Sequence, residues 1–382
     1  MCSSDLILGP AQCAPLEETN VESRAAAQLN WSPAPPVIEA PHIFGKPVVK
    51  LADFEQEGVS TWQAFKHAIE ACRREEAGAL VLEPKRYLFD DPAAAGKQAH
   101  LLFEGLHDLV IEGNGAELVF HHIKPGIYFL NCQRVVLKQV SLDWDIRLAS
   151  AGVVELDAEG RRVIKVLDEF PVTPEMPVTA FTEYHIEQRR WALDPAEQYN
   201  PAGVELIAPQ TYYCPGLVGV FTPGKEVLIR HYVYQAIGIG FMGLETSDIA
   251  CEDVTVWQCP SHAFLAAMCE GGIRLTRCRI QRKDEPDRLI SATADGAHFM
   301  SLKGDILIED CDFSYQGDDS VNIHGMWCQV AEIVDNHTVK LAGKFVEGTA
   351  MTASPGDEIK FCKAANLAEI GRLSLDQITL GA

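Results

Sequence analysis

The chain has no apolar run approaching the ~20 residues needed to cross a bilayer, so no segment reads as a membrane span. It is short of positive charge: 32 Lys and Arg stand against 54 Asp and Glu, a net charge of −22. A surface of that sign repels phosphate backbones and argues against nucleic acid as a partner. A polyanionic substrate is also disfavoured unless a local basic cleft overrides the total. The first ten residues, Met1 to Pro10, lack a basic segment and hold only a stub of apolar residues, so no signal peptide is visible. The twelve cysteines include no Cys-x-x-Cys pair, the usual mark of a zinc site. Cys278 and Cys311 fall at one position of successive repeats, where a small buried hydrophobe is the plainer reading, and mostly free, buried thiols are expected.

What is present is length and repetition. At 382 residues and 47% hydrophobic, the chain can build a sizeable core with smaller appended domains. A pattern of polar turn, aliphatic strand, polar corner and second apolar pair recurs, with anchors at Leu109, Val135, Val227, Ile249, Ile273 and Ile306. The steps between anchors are 26, 92, 22, 24 and 33 residues. Five positions after the last five anchors lie Val140, Tyr232, Val254, Cys278 and Cys311, mostly apolar, as stacked rungs require. Each rung is too short for a β-α-β unit and lacks a helical period, so the pattern predicts an all-β solenoid, a parallel β-helix.

Before the rungs, Ser60-Thr61 is an N-cap candidate for a helix to about Glu75, with Trp62, Phe65, Ala68, Ile69 and Cys72 on one face. The 92-residue step marks an insertion containing a hairpin, Val153–Leu156 with Val163–Val166, and a similar hairpin follows His324. The expected layout is a Pro/Ala/Glu-rich tail or linker over 1–41, the first part of the β-helix over 42–145 and an inserted small β-domain over 146–215. Central rungs occupy 216–325, a second inserted domain 326–372, and 373–382 stop without returning to a rung, as in a fragment with an open last coil.

The chemistry concentrates in Ala294-Asp295-Gly296-Ala297-His298 and Gly317-Asp318-Asp319-Ser320-Val321-Asn322-Ile323-His324, whose first acids lie 23 positions apart. Adjacent rungs are hydrogen-bonded strands ~4.8 Å apart, so residues one coil apart become neighbours. Asp295 should therefore meet Asp318 and Asp319, flanked by His298 and His324. Glycosidic cleavage without a metal needs one protonated carboxyl and one carboxylate, and crowding keeps one of several acids protonated. Strand parity puts Val321 and Ile323 inward and would point Asp319 inward too; a bend at Gly317 is inferred to turn both acids outward. Separation of ~5 Å would imply retention and ~6.5–9.5 Å inversion, and the spacing is compatible with either.

Gly-Asp-Asp-Ser or Asp-Gly alone is commonly a solvated turn; two such turns on consecutive rungs, each followed by a His, argue for a site. The acids and histidines show no standard metal spacing, and no metal or other cofactor is expected. Trp144, Trp257 and Trp327 are candidates either for sugar stacking or for structural packing, and Asp143 is a weak cleft candidate.

The run from Arg288 to His298, with Gly317 to Gly325, resembles glycoside hydrolase family 110, exo-acting α-1,3-galactosidases with a right-handed β-helix carrying inserted β-barrels. The resemblance reaches from the strand at Val48 through both inserts. It implies an inverting, metal-free hydrolysis of terminal α-galactose by Asp295, Asp318 and Asp319. By analogy with the wider β-helix group, Asp318 is the acid and Asp295 with Asp319 hold the water. His298, His324, Asn322 and Arg288 are the expected substrate contacts, an oligosaccharide ending in α-galactose the expected partner, and the secreted or periplasmic space the expected location. Pectin-acting β-helices share the Asp and Gly-Asp-Asp pair but add an Arg-x-Lys pair after the His to hold a uronate. Here Gly325-Met326-Trp327-Cys328 follows His324 instead, which favours a neutral sugar. A polygalacturonase-like enzyme and a non-catalytic carbohydrate-binding β-helix are the rival readings.

Overall fold

The computed structural model describes residues 38–94, 98–335, 337–343, 346, 349 and 352–378. The proposed tail lies outside these, apart from 38–41, as do residues 379–382. The protein is mostly β with two parallel sheets and one α-helix among the described residues.

That helix, Thr61–Glu75, begins where the sequence signals it. Ser60 Oγ accepts from the Gln63 amide at 3.3 Å while Gln63 Oε1 accepts from the Ser60 amide at 3.0 Å, a reciprocal capping box. Phe65, Ala68, Ile69 and Cys72 are buried against the first strands, with Ala64 and Ala71 widening the apolar stripe.

The larger parallel sheet runs in the order Val48–Lys50, Ala79–Val81, His107–Phe120, Gln133–Trp144, Ser247–Glu252, Ile273–Thr276 and Ile306–Glu309. The second runs Leu101–Glu104, Ile127–Leu130, Ile239–Met242, Phe264–Ala267, Ala297–Met300 and Val321–His324. The chain visits the two sheets in turn, so each pass adds a strand to both. In the first sheet Leu109, Val135, Ile249, Ile273 and Ile306 lie directly over one another. Their side chains face those of the second sheet, where Phe129, Phe241, Phe264 and Phe299 are fully buried in the same core.

The corners between strands repeat as well. Asp108, Arg134 and Asp248, and later Asp253, Arg277 and Asp310, take positive φ between 51° and 56°. Because the corners stack, opposite charges on neighbouring passes meet: Arg134 Nε donates to Asp108 at 2.6 Å, and Arg277 binds Asp253 through two bonds of 2.8 Å. Just behind them Cys251 and Cys278 are buried, and the amide of Cys278 donates to Cys311 Sγ at 3.3 Å. All ten cysteines among the described residues are free thiols, seven of them buried.

One anchor is corrected. Val227 is not a rung: Glu226–Arg230 pairs antiparallel with both Ala149–Leu156 and Ala180–His185, inside an eight-stranded sheet. The parallel register passes directly from Val135 to Ile249. The inserted sheet therefore continues to Arg230 rather than ending near 215. Its central strand is buried on both faces, and such a continuous apolar run has no period by which to tell it from a rung. The region after His324 forms two exposed hairpins, Gln329–Ile333 with Val339–Ala342 and Glu358–Cys362 with Glu369–Ser374.

Val321 and Ile323 stack on Ala297 and Phe299, so they share the inward face as parity predicts. They are nevertheless 40% and 57% exposed, because no further parallel strand covers them among the described residues.

Where the loops between passes stack, glycine admits glycine. A Cβ on Gly304 would lie 2.1 Å from the carbonyl carbon of Gly271. Gly304→Ala should therefore force the two passes apart and destabilise the fold by roughly 1–3 kcal/mol, the usual cost of overpacking. Urea unfolding beside the parent protein measures this, and an unchanged midpoint would contradict the stacking.

Candidate active site

The acids gather where the parallel register requires. The amide of Gly296 donates to the Asp319 carbonyl at 2.8 Å, and that of Ala297 to the Ser320 carbonyl at 3.0 Å. Asp295 therefore sits one pass from the Asp318-Asp319 pair. On the other side the Ala263 amide donates to the Asp295 carbonyl at 3.1 Å, which places His262 beside Asp295.

The parity problem is resolved by a bend, though not for the expected reason. Asp318 and Asp319 precede the strand Val321–His324, and both are exposed. Gly317 does not use a glycine-only φ. A Cβ there would lie 2.5 Å from the Thr293 carbonyl oxygen and 2.7 Å from an Arg230 guanidinium nitrogen. Close approach is what demands glycine.

Arg230, absent from the sequence-derived set, is fully buried. One guanidinium nitrogen donates to the Thr293 carbonyl at 3.1 Å and to the Gly317 carbonyl at 2.7 Å. The other binds Glu197 and donates to Thr182 Oγ1 at 3.2 Å. The cation also lies 4.5 Å from the centre of the Tyr199 ring. Strands of the inserted sheet are thus tied to the two backbone segments that lead into Asp295 and Asp318.

Two tyrosines complete the surroundings of Asp318. Tyr199 Oη donates to Asp318 Oδ2 at 2.8 Å, and Tyr234 Oη to the same oxygen at 3.3 Å, leaving Oδ1 open. Tyr234 holds φ 60°, a strained backbone for a bulky side chain, and its ring lies 5.4 Å from that of His262. Burial and the nearby Asp318 carboxylate push both phenols well above the usual tyrosine range, so they remain donors. Burial, then Asp318 and Asp295, raise the proton affinity of Asp319.

Asp295 is 3% exposed, and its Oδ2 lies 2.6 Å from His298 Nδ1. His298 Nε2 is 3.0 Å from His324 Nε2, and His324 Nδ1 is 2.7 Å from the Gly325 carbonyl oxygen. A carbonyl only accepts, so His324 Nδ1 carries hydrogen. One proton must also sit in each of the other two contacts. The neighbouring His262 stays uncharged: burial lowers it to about 4, and its Nδ1 accepts from the Asp295 amide at 3.3 Å.

The other expected contacts divide. Asn322 lies in register beside His298 at the site. His298 and His324 are there too, but each spends both ring nitrogens on the chain just described. Arg288 is not with the acids. It binds Asp143 at 3.2 and 3.3 Å and the Trp144 carbonyl at 3.1 Å, and it lines a separate cavity of about 210 Å³ with Arg147 and Gln258. Asp143 is 1% exposed, with Lys283 at 2.8 Å and Arg288 as partners, so it braces the core rather than a cleft. Trp144 is fully buried 4.7 Å from Phe120, Trp257 is half-buried, and Trp327 is 61% exposed.

Among known proteins, no family profile matches the chain. It is 26% identical over 319 residues to alpha-1,3-galactosidase B of Phocaeicola vulgatus, covering 78% of this chain and 52% of that protein. Alpha-1,3-galactosidase B of Bacteroides thetaiotaomicron matches at 24% over 338 residues, 78% of this chain and 54% of the relative. Alpha-1,3-galactosidase A of Bacteroides fragilis matches at 24% over 369 residues, 86% and 60%. The chain is a distant relative of alpha-1,3-galactosidases. It spans about half the length of the curated relatives it matches. A tailspike of Acinetobacter baumannii bacteriophage AP22 aligns at 6% identity and TM-score 0.13, over 70% of this chain and 58% of that one, which carries no argument.

Two outcomes follow from the geometry. Arg230→Met strips a partner from Glu197, which keeps access to water, and from the Thr293 and Gly317 carbonyls, and should cost about 1–3 kcal/mol in denaturant unfolding, the range for acceptors left unsatisfied. Asp319→Asn should raise the melting temperature near neutral pH. The folded protein holds the Asp319 proton more tightly than the unfolded chain, so ionising it opposes folding as pH rises through the ordinary aspartate range. Below that range both states are protonated and the gain should vanish; a gain that grows in acid would contradict the assignment.

Proposed function

We propose that this protein is a glycoside hydrolase, an exo-acting α-1,3-galactosidase that removes terminal α-galactose with inversion. The fold is taken as a right-handed parallel β-helix with inserted β-barrel-like domains, the reading supported by two parallel sheets visited in turn and by the antiparallel insert. The observation that carries the function is the stacking of Asp295 against Asp318 and Asp319, in a chain distantly related to enzymes of that activity.

In this mechanism Asp318 protonates the leaving oxygen through Oδ1, the oxygen its two phenols leave open. Asp295 and Asp319 hold and deprotonate the attacking water. The raised affinity of Asp319 keeps a proton within the cluster at a pH where an isolated aspartate has lost it. Proton affinity alone would place that proton on Asp319, the neighbour of the proposed donor. Transfer to Asp318 accompanies substrate binding.

A neutral sugar is favoured over a uronate. Arg230, whose guanidinium reaches the carbonyl just ahead of Asp318, is fully buried and committed to Glu197 and two carbonyls, and the groups that donate to Asp318 are phenols. Phenols and imidazoles match sugar hydroxyls; a uronate carboxylate calls for a free guanidinium or ammonium. The working location is outside the cytoplasm, where such glycans are met.

Incubation with p-nitrophenyl α-galactoside and with a Galα1-3Gal disaccharide, beside polygalacturonate, tests the substrate. Galactose release is expected from the first two, with β-galactose as the first product by NMR. Asp295→Asn, Asp318→Asn and Asp319→Asn should each lower kcat by about 10²–10⁴-fold, the range for losing a general acid or base. Turnover of polygalacturonate alone would replace this reading with a pectin-acting one, and no turnover of any of the three would leave a binding protein.

A further inference from the structure

We infer that the same groove contains an inhibitory site for a borderline transition-metal cation such as Zn²⁺, formed by His262, Asp295 and His298. The identity of the inhibited reaction rests on the galactosidase reading, but the binding site does not. Ligand atoms from the three residues lie within 4.8 Å of one another, and no ion is present. His262 Nδ1 is 3.5 Å from Asp295 Oδ2, and His298 Nδ1 is 2.6 Å from the same oxygen.

The donor set is two imidazoles and one carboxylate, a combination that selects Zn²⁺, Co²⁺ or Fe²⁺ over Mg²⁺ or Ca²⁺. Bonds of about 2.0–2.2 Å to a tetrahedral ion place ligand atoms roughly 3.3 Å apart. The His262 contact already suits that spacing, and the Nδ1 lone pair that accepts from the Asp295 amide turns to the metal instead. The His298 contact is held shorter by its proton and must open by roughly 0.7 Å, within reach of a small carboxylate rotation.

The surroundings resemble the support a ligating histidine ordinarily has. His298 directs its other nitrogen to His324, whose far nitrogen donates to the Gly325 carbonyl, so the ring is oriented from behind. On binding, the metal takes the place of the proton between His298 Nδ1 and Asp295 Oδ2, and that proton leaves to solvent. The histidine chain then holds the two protons that neutral imidazoles supply, and no ring need be charged. Asp318 adds negative potential beside the site. The side chains of His262 and His298 retain 12% and 16% exposure, which leaves a path from solvent. With its carboxylate on a metal, Asp295 no longer accepts a proton from the attacking water, so hydrolysis stops.

The test combines a spectroscopic and a catalytic reading. Chelator-treated protein is titrated with Co²⁺ and followed by visible absorption, and with Zn²⁺ by calorimetry. One Zn²⁺ per chain with micromolar affinity is expected, with Co²⁺ bands of nitrogen and oxygen ligation. His298→Gln and His262→Gln, checked for folding by circular dichroism, should each weaken Zn²⁺ binding at least tenfold. Asp318→Asn, inactive under the proposed function, should still bind it. Zn²⁺ should inhibit galactoside hydrolysis with the same midpoint as binding, and excess Mg²⁺ should not protect. No Zn²⁺ binding by the parent protein at millimolar concentration overturns the site, as does undiminished binding in both histidine variants. A thiolate-to-cobalt charge-transfer band overturns it too, since it would move the metal to a cysteine. If the parent protein hydrolyses no galactoside, the catalytic reading fails while the metal titration still decides the site.

Discussion

Parallel hydrogen bonding decides which residues of one pass lie beside which residues of the next, and the meeting of the acids follows from that constraint. Once Val135, Ile249, Ile273 and Ile306 are stacked, the segments that follow on the second sheet have no freedom of register. A slip by one residue would exchange Ala297 and Phe299 for His298 on the core side, burying an imidazole and exposing a phenylalanine. The acids are neighbours because their strands cannot pair otherwise.

The ladder alone does not aim them. Asp318 and Asp319 leave the strand pattern at a bend, and that bend is held by a guanidinium from a sheet inserted nearly a hundred residues earlier in the chain. Arg230 is buried, and a buried cation needs acceptors around it; both terminal nitrogens have them, whereas Nε has none. It meets Glu197 and the carbonyls of Thr293 and Gly317, and those carbonyls lie immediately ahead of the two acid segments. The insert also contributes Tyr199, one of the two phenols on Asp318. It is part of the site's walls as well as an ornament on the stack.

Charge is balanced differently at each acid. Asp295 is buried and hydrogen-bonded to His298, whereas Asp318 is exposed and accepts from two phenols. Burial, and then the charge of Asp318 and Asp295, raise the proton affinity of Asp319. Three chemically identical side chains within one groove therefore stand in three different surroundings.

Much of this was legible in the amino-acid sequence. Apolar anchors at short, regular steps identified the parallel stack, because inward positions of every pass must be apolar. Ser60 and Gln63 marked the start of the helix through local chemistry alone. The acids announced themselves because both segments pair carboxylates with glycine one pass apart. What stayed hidden depends on partners distant in sequence. Val227 passed for a rung, since a strand buried on both faces looks alike in either kind of sheet. Arg288 was expected among the substrate contacts, yet its charge is spent on Asp143, 145 positions away. Arg230, Tyr199, Tyr234 and His262 lack a local motif, and a buried arginine reads as a surface one until its acceptors are known. Sequence by itself determined the repeating apolar pattern and the presence of the acids, which are local properties of the chain. Only tertiary structure decided what surrounds each acid, because hydrogen bonds and charges act through space between residues that no spacing rule connects.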